Sequence, residues 1–370
     1  METPAQLAPI VAWGAFALAF VFGAVGHKTN FCTMGAVSDW VNMGDTNRMR
    51  MWLLAIGVAV LGANALQLAG LIDLSKSIYP SPRFTWLSYL VGGFLFGVGM
   101  TLGSGCGSKT LIRIGGGNLK SVVVFLVAGV AAYATLRGIL GAFRVGVLEQ
   151  ASVMLSTGQD LPSLFSLLSG VSRTALTLIV ASIVGVALVA FAYASKQFRS
   201  DYNYSLGGVV TGLVVVGGWF VSGHLGHLAE DPSTLEEAFV ATNTGRMEGF
   251  SFVAPLAWTL EYLMLWTDKT RIVTYGIAST AGVIAGSFAY ALAAGKFRWE
   301  GFRDAEDTGM HILGGLLMGF GGITALGCTI GQGISGFSTL ALGSILTFAA
   351  IVAGSAATMK WQYWRMTREG

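Results

Sequence analysis

Three cysteines, Cys32, Cys106 and Cys328, hold the most chemically suggestive positions in this 370-residue chain. Each lies in a glycine-rich break within apolar sequence: "NFCTMGA", "GSGCGS" and "GCTIGQG". An odd number of widely spaced cysteines, with no C-x-x-C pair, does not read as a disulfide framework. An isolated buried cysteine usually acts as a small hydrophobe. Three of them, each in a break too dense in glycine for a helix, point instead to function. A thiol is a weak hydrogen-bond donor with a polarizable sulfur, suited to transient contact with another soft atom. Thr33, Ser104, Ser108, Thr329 and Gln332 add donors nearby. No carboxylate flanks any of the three. That argues against a cation site or a carboxylate proton relay, which normally use intramembrane Asp or Glu. A small, soft anion fits this set of groups best, met by thiols, backbone N–H groups and helix N-termini.

Such groups must be positioned by the apolar segments around them. "GGFLFGVGMTLGSGC" (Gly92–Cys106) aligned without gaps over "GGLLMGFGGITALGC" (Gly314–Cys328) matches at Gly92, Gly93, Leu95, Gly97, Gly99, Gly105 and Cys106. Both segments end on Gly-Cys, continue into glycine-rich sequence and are followed by another apolar helix. The chain therefore reads as an internal duplication. Residues 9–142 form the first repeat, 143–204 an amphipathic stretch and linking helix, and 205–360 the second repeat, all within one membrane domain, 1–370. Five spans precede the second half, so it enters the membrane upside down, as in inverted-repeat transport folds. The glycine-rich segments then re-enter from opposite faces and meet near the midplane, where irregular backbone is tolerated because it lines a cavity. Gly105, Gly107, Gly327, Gly331 and Gly333 permit the breaks. After the sixth span, the expected counterpart of the Cys32 segment reads "FVSGHLGHLAED" and has no cysteine.

Composition fixes the class. The chain is 54% hydrophobic and 11% charged, with a mean hydropathy of +0.66, whereas soluble domains carry about 25% charged residues. Apolar runs near 9–26, 51–72, 84–103, 119–142, 173–195, 205–222, 251–267, 270–295, 310–327 and 340–360 approach the ~20 residues that cross a bilayer. The seventh, short and carrying Pro255 and Glu261, is expected at the interface or as a re-entrant segment. This leaves about nine transmembrane helices in an all-α integral membrane protein. Residues 144–170 read as an amphipathic stretch on the membrane surface. The first run shows no cleavage-site pattern and is expected to be retained.

An outside N-terminus places Lys28, Arg48, Arg50, Lys109, Arg113, Lys120, Lys196, Arg199, Lys296, Arg298, Arg303, Lys360, Arg365 and Arg368 inside. Those are fourteen of the 22 basic residues. The positive-inside rule thus predicts a periplasmic N-terminus and a cytoplasmic C-terminus.

The three cysteine segments resemble the signature segments of the YeeE/YedE family of bacterial sulfur transporters, and the likeness extends over nearly the whole chain. The resemblance implies an inner-membrane importer of thiosulfate, hourglass-like, with short loops meeting at a central constriction. It implies that Cys32, Cys106 and Cys328 carry the anion by successive S–H···S hydrogen bonds. On the reading of the breaks above, Gly105, Gly107, Gly327, Thr329, Gly331, Gln332 and Gly333 are expected on the same path. It also suggests a small TusA-like sulfur-carrier protein as a cytoplasmic partner, and a selenium-linked cargo in some members. Thiosulfate and membrane lipid are the expected partners. No nucleic acid, cofactor or metal is expected, and no enzymatic activity.

Other features carry less. His224 and His227 in "HLGH" have metal-like spacing but no third ligand, and read as a solvated loop. Asn64 and Gln67 read as interhelical hydrogen-bonding groups, Arg137 as a snorkelling residue, and Lys109 and Arg113 as either anion attractors or inside markers. No nucleotide-binding loop, H-E-x-x-H motif or nucleophile elbow occurs. Two rival readings remain: a membrane sulfurtransferase with a covalent thiol, which would need a lowered thiol pKa and a resolving cysteine, and a channel for another small solute.

Overall fold

In hydrocarbon every backbone N–H and C=O must be satisfied within its own segment, so long apolar runs become helices. The computed structural model describes residues 3–232 and 234–369. Its helices are α1 (Pro4–Lys28), α2 (Thr33–Ser38), α3 (Asn47–Leu68), α4 (Trp86–Leu102), α5 (Gly107–Gly115), α6 (Leu119–Arg137), α7 (Ile139–Phe143), α8 (Leu161–Ser169), α9 (Arg173–Tyr193), α10 (Lys196–Ser200), α11 (Tyr202–Phe220), α12 (Ala254–Met264), α13 (Tyr275–Ala293), α14 (Ala305–Thr324) and α15 (Leu342–Glu369). A further short helix covers 329–338, with π-type turns over Gly331–Gly336. Two antiparallel strand pairs of two residues each, Arg83–Phe84 with Val153–Met154 and His227–Leu228 with Ala238–Phe239, tie loops together.

Eight segments are long and apolar enough to cross a membrane. The chain is a multi-pass, mostly helical membrane protein. The ninth expected span corresponds to α14, which is 20 residues long but has Glu306 and Asp307 in its first turn and falls short of the others in apolarity. The seventh apolar run forms α12, of 11 residues. At 1.5 Å per residue it reaches about 16 Å, half the ~30 Å of hydrocarbon. Helix α9 is the least buried of the eight segments, with Ile183 and Val186 exposed, as expected of a lipid-facing element. Residues 144–170 form turns and α8 rather than one continuous amphipathic helix. They are held to the bundle by the Asp160–Ala341 bridge and the Leu161 N–H donating to the Leu340 carbonyl.

Glycine sets the helix spacing, because between membrane helices close van der Waals packing replaces the hydrophobic drive. A Cβ on Gly92 would lie 2.8 Å from the Gly321 carbonyl oxygen, and one on Gly314 2.7 Å from that of Gly99. Pairing 92 with 321 and 99 with 314 means that α4 and α14 run antiparallel. Gly93 and Gly97 of α4 abut α15 at Thr347 and Ile351, while Gly315 and Gly319 of α14 abut α6 at Val127 and Ala128. Helices α1 and α13 cross where Gly23 meets Val283 and Gly286 meets Phe20. Asn64 donates 2.9 Å to the Ser338 carbonyl, an interhelical bond of the expected kind.

The bundle has two distinct ends. One joins the end of α1 to the start of α11 and to α5, α5 to the segment after α13, and α6 to α14, through Lys28 over the Tyr202 ring, Lys109 to Asn30, the Arg298 N–H to the Gly116 carbonyl, and Lys120 to Asp307. This basic end also holds Arg48, paired with Asp39, and Arg365, paired with Glu306. The loop end gathers the strand pairs, Lys76 with Glu237, and Arg137 and Arg271 around buried Glu261.

Candidate functional site

All three cysteines are free and buried, and each stands at the start of a short helix. Cys32 is the N-cap of α2, and its sulfur accepts the Gly35 N–H at 3.4 Å. Cys106 is the N-cap of α5, with its sulfur 3.3 Å from Ser108 Oγ. Cys328 opens the 329–338 helix. Its sulfur accepts from the Gly331 and Phe252 N–H groups at 3.4 and 3.3 Å and lies 3.9 Å from Ser251 Oγ. Cys106 is the middle thiol, close enough to interact electrostatically with both Cys32 and Cys328. Helix N-termini present unpaired N–H groups and partial positive charge. Three of them converge on one region that contains no carboxylate partner to a thiol.

The breaks that end α4 and α14 have the same backbone form. Ser104 and Leu326, each two residues before its cysteine, both take left-handed φ of 58°. Gly107 is required by a close approach, since a Cβ there would meet the Phe252 carbonyl oxygen at 2.5 Å. Gly331 is confined by Ser251 Oγ and Gly333 by the Phe348 ring, Gly105 faces only the flexible side chain of Lys109, and Gly327 faces the Gln332 side chain and the backbone of Gly331 and Gln332. Gln332 is not a free donor. Its Nε2 donates to the Ala325 carbonyl at 2.5 Å and its Oε1 accepts from Ser344 at 2.6 Å, so it braces the loop. Thr329 Oγ1 and Thr33 Oγ1 are different. Each follows a cysteine, is essentially fully buried and has no hydrogen-bond partner. Buried hydroxyls without partners are costly and uncommon.

A row of aromatic rings runs beside the cysteine segments. Phe252 stacks on Phe22 at 5.8 Å, Phe22 meets Phe31 edge-on, and Phe31 stacks on Trp52 at 4.7 Å. Phe31 precedes Cys32, and Phe252 touches both the Cys328 sulfur and the start of α5.

A cavity opens on each side of this layer. Toward the loop end, about 180 Å³ is lined by Tyr79, Tyr275, Glu248, Ser251 and Gly327 among others. Glu248 lies outside the eight spans and accepts the Asn243 and Thr244 N–H groups, both at 2.9 Å. Burial nevertheless pushes its carboxyl up to about 7. The Tyr275 hydroxyl is buried without a partner. At the basic end a cavity of about 480 Å³ is lined by His27, Lys109, Arg113, Lys296, Arg298 and Glu300 among others. Ser251, Phe252 and Glu248 were not expected from sequence. The signal for them was "EGFSF", an isolated acid beside a Ser-Phe pair that parallels Asn30-Phe31.

His224 and His227 do not form a metal site. The first faces the Leu71 carbonyl and the second pairs with Glu237, and among the described residues no group of three or more His, Cys, Asp or Glu could hold an ion.

Residues 28–357 match the model of the family described as "Sulphur transport", which is the YeeE/YedE family. The chain belongs to that family. This is a family of transporters and not of enzymes. Two curated relatives share its length. One, named "Thiosulfate transporter TsuA" from Escherichia coli (strain K12), is 26% identical over 327 residues, 85% of this chain and 84% of the relative. Another, of the same name, from Spirochaeta thermophila, is 26% identical over 362 residues, 95% of this chain and 99% of the relative. The family match covers all three cysteine segments and both cavities.

Proposed function

We propose that this family member takes up thiosulfate across a bacterial inner membrane, through a constriction where Cys328, Cys106 and Cys32 hydrogen-bond the anion in turn. The cargo follows the names of the two relatives, and the sulfur specificity follows the chemistry of the thiols. The observation that carries the reading is the convergence of three buried free thiols, each at a short-helix N-terminus, with the partnerless hydroxyls of Thr33 and Thr329 beside them. The thiols act as transient ligands. S–H donors and backbone N–H groups replace part of the anion's hydration, and the terminal sulfur of thiosulfate matches their polarizability.

The same proposal takes the molecule as two inverted repeats, with α1, α2, α3, α4, α5 and α6 related to α11, α12, α13, α14, the 329–338 helix and α15. The antiparallel contact of α4 with α14 supports it, as do the matching left-handed residues Ser104 and Leu326. On this reading α14 is a ninth span, α2, α5, α12 and the 329–338 helix are re-entrant, and the counterpart of Cys32 is Val253, the N-cap of α12. That replaces the stretch after α11 as the counterpart. The basic end faces the cytoplasm, so the N-terminus is periplasmic and thiosulfate enters at the loop end.

The test is uptake of labelled thiosulfate by purified protein in liposomes. Wild type is expected to accumulate it, and Cys328→Ala and Cys106→Ala to lose at least tenfold in rate while remaining monodisperse and folded. Serine at the same positions, which keeps the volume but not the soft contact, is expected to restore little. Full uptake in all three single alanine variants would falsify the relay.

A further inference from the structure

We propose that the cavity at the basic end is a release site for a multiply charged oxyanion, separate from the thiols and next after them on the path. The proposal rests on the uptake reading above and adds a second binding step to it. Lys109 and Arg113 reach the cavity from α5, His27 from the end of α1, and Lys296 and Arg298 from the segment after α13. Against four lysine and arginine side chains stands one carboxylate, Glu300, whose Oε2 already accepts Asn118 Nδ2 at 2.7 Å.

Among the described residues, none of the four cations has an acidic partner. Lys109 donates to Asn30 Oδ1 at 3.4 Å and Lys296 lies over the Tyr290 ring. Both bonds are to neutral groups. His27 is committed to Ser287 through Nδ1 at 2.9 Å. Positive side chains gathered in one concavity without counter-charge repel one another and focus a positive potential, and an anion relieves both effects. Planar guanidinium forks match oxyanion oxygens, and ammonium groups add mobile point charges.

Position links this cavity to the thiols. Lys109 lines it and is also within electrostatic range of Cys32 and Cys106. An anion leaving Cys32 therefore comes within range of Lys109 and Arg113, both of which line the cavity. Size separates the two sites. At ~30 Å³ per water in the liquid, a cavity of about 480 Å³ holds an oxyanion with part of its hydration shell, whereas all three thiols are buried. The loop-end cavity lacks such a wall, since its Arg144 is paired with Glu149 and its other charged group is Glu248. The thiols select sulfur, and the basic cavity draws charge off them and rehydrates it.

The test uses purified full-length protein with sulfate as the probe, because sulfate has the charge and the oxygens but no exposed soft sulfur. Sulfate is expected to bind wild type and Cys328→Ala with equal affinity, falling as ionic strength rises. Arg113→Gln combined with Arg298→Gln is expected to weaken that binding at least tenfold and to slow thiosulfate uptake, and the corresponding pair of lysine substitutions to restore part of both. Unchanged sulfate binding in the glutamine pair, or its loss in Cys328→Ala, overturns the proposal. The same measurements in pure phosphatidylcholine vesicles and in vesicles with added phosphatidylglycerol separate cargo from lipid. An effect of the glutamine pair seen only with phosphatidylglycerol assigns the cavity to a lipid headgroup and also overturns it. If wild type takes up no thiosulfate while sulfate binds as described, the anion site is supported and the cargo assignment falls instead.

Discussion

At the scale of single residues, the thiols owe their role to what surrounds them. A cysteine in an apolar helix is a small hydrophobe, but Cys106 and Cys328 sit where left-handed Ser104 and Leu326 stop a helix and a new N-terminus begins. Glu248 stands, with Tyr79, Tyr275 and the paired Arg144, in the loop-end cavity that is the entrance on the proposed path. Burial pushes its carboxyl up to about 7, against the downward pull of hydrogen bonds from Thr244 and Asn243. A raised value means that the folded protein keeps a proton which the unfolded chain has released. The group's contribution to stability is therefore complete below about 4.5 and is lost as pH rises through about 7. Its ionisation also puts a negative charge beside the path of an anion. Uptake from the loop end is expected to fall between about pH 6 and 8, and Glu248→Gln to flatten that profile while leaving a rate near the low-pH value. Uptake measured over this range in both proteins checks it, and an unchanged slope in the variant would remove Glu248 from the entrance.

At the scale of elements, the short helices are placed by glycine contacts that tolerate almost no added volume. Gly107 is the sharpest case, because the start of α5 presses on the Phe252 carbonyl next to Cys328. Gly107→Ala is expected to cost about 1–3 kcal/mol, as overpacking does, and to impair uptake by shifting Cys106 relative to Cys328. Gly146→Ala, where a Cβ meets nothing within 4 Å, is expected to stay within about 0.5 kcal/mol of wild type. Thermal unfolding of both variants in one detergent checks the contrast. The two Gly-Cys breaks were legible in sequence because Gly92–Cys106 and Gly314–Cys328 kept the same residues at the same spacing. The proposed counterpart of α2 was not, because α12 carries Val253 and Pro255 where α2 carries Cys32 and Met34, and only the phenylalanine before the N-cap is shared. Gln332 reads as a free donor in sequence and is a brace in the fold. One amide cannot reveal which of two neighbours satisfies it. Lys109 and Arg113 could not be separated from ordinary inside-facing charge until α13 brought Lys296 and Arg298 to the same cavity.

At the scale of the whole molecule, the two ends differ in charge and in what their cavities hold. Helices α4 and α14 pack antiparallel, yet the two ends are not copies of each other. The basic end carries unpaired Lys109, Arg113, Lys296 and Arg298 around about 480 Å³, and the loop end carries Glu248 and two tyrosines around about 180 Å³. An anion entering at the loop end would thus pass from a carboxyl-guarded mouth through thiols into a cationic chamber. That sequence fits uptake in the proposed orientation, with the basic end in the cytoplasm, which the excess of Lys and Arg there favours. Exposed Lys269, between α12 and α13, lies at the loop end, and exposed Asn42 lies at the basic end before α3. Lys269→Cys is expected to react with a membrane-impermeant maleimide on intact spheroplasts, in a background where the three buried thiols stay unreactive. Asn42→Cys is expected to react only after the membrane is opened. The reverse pattern would turn the molecule over. Thiosulfate would then meet the cationic chamber first, and the same architecture would have to be read as an exporter.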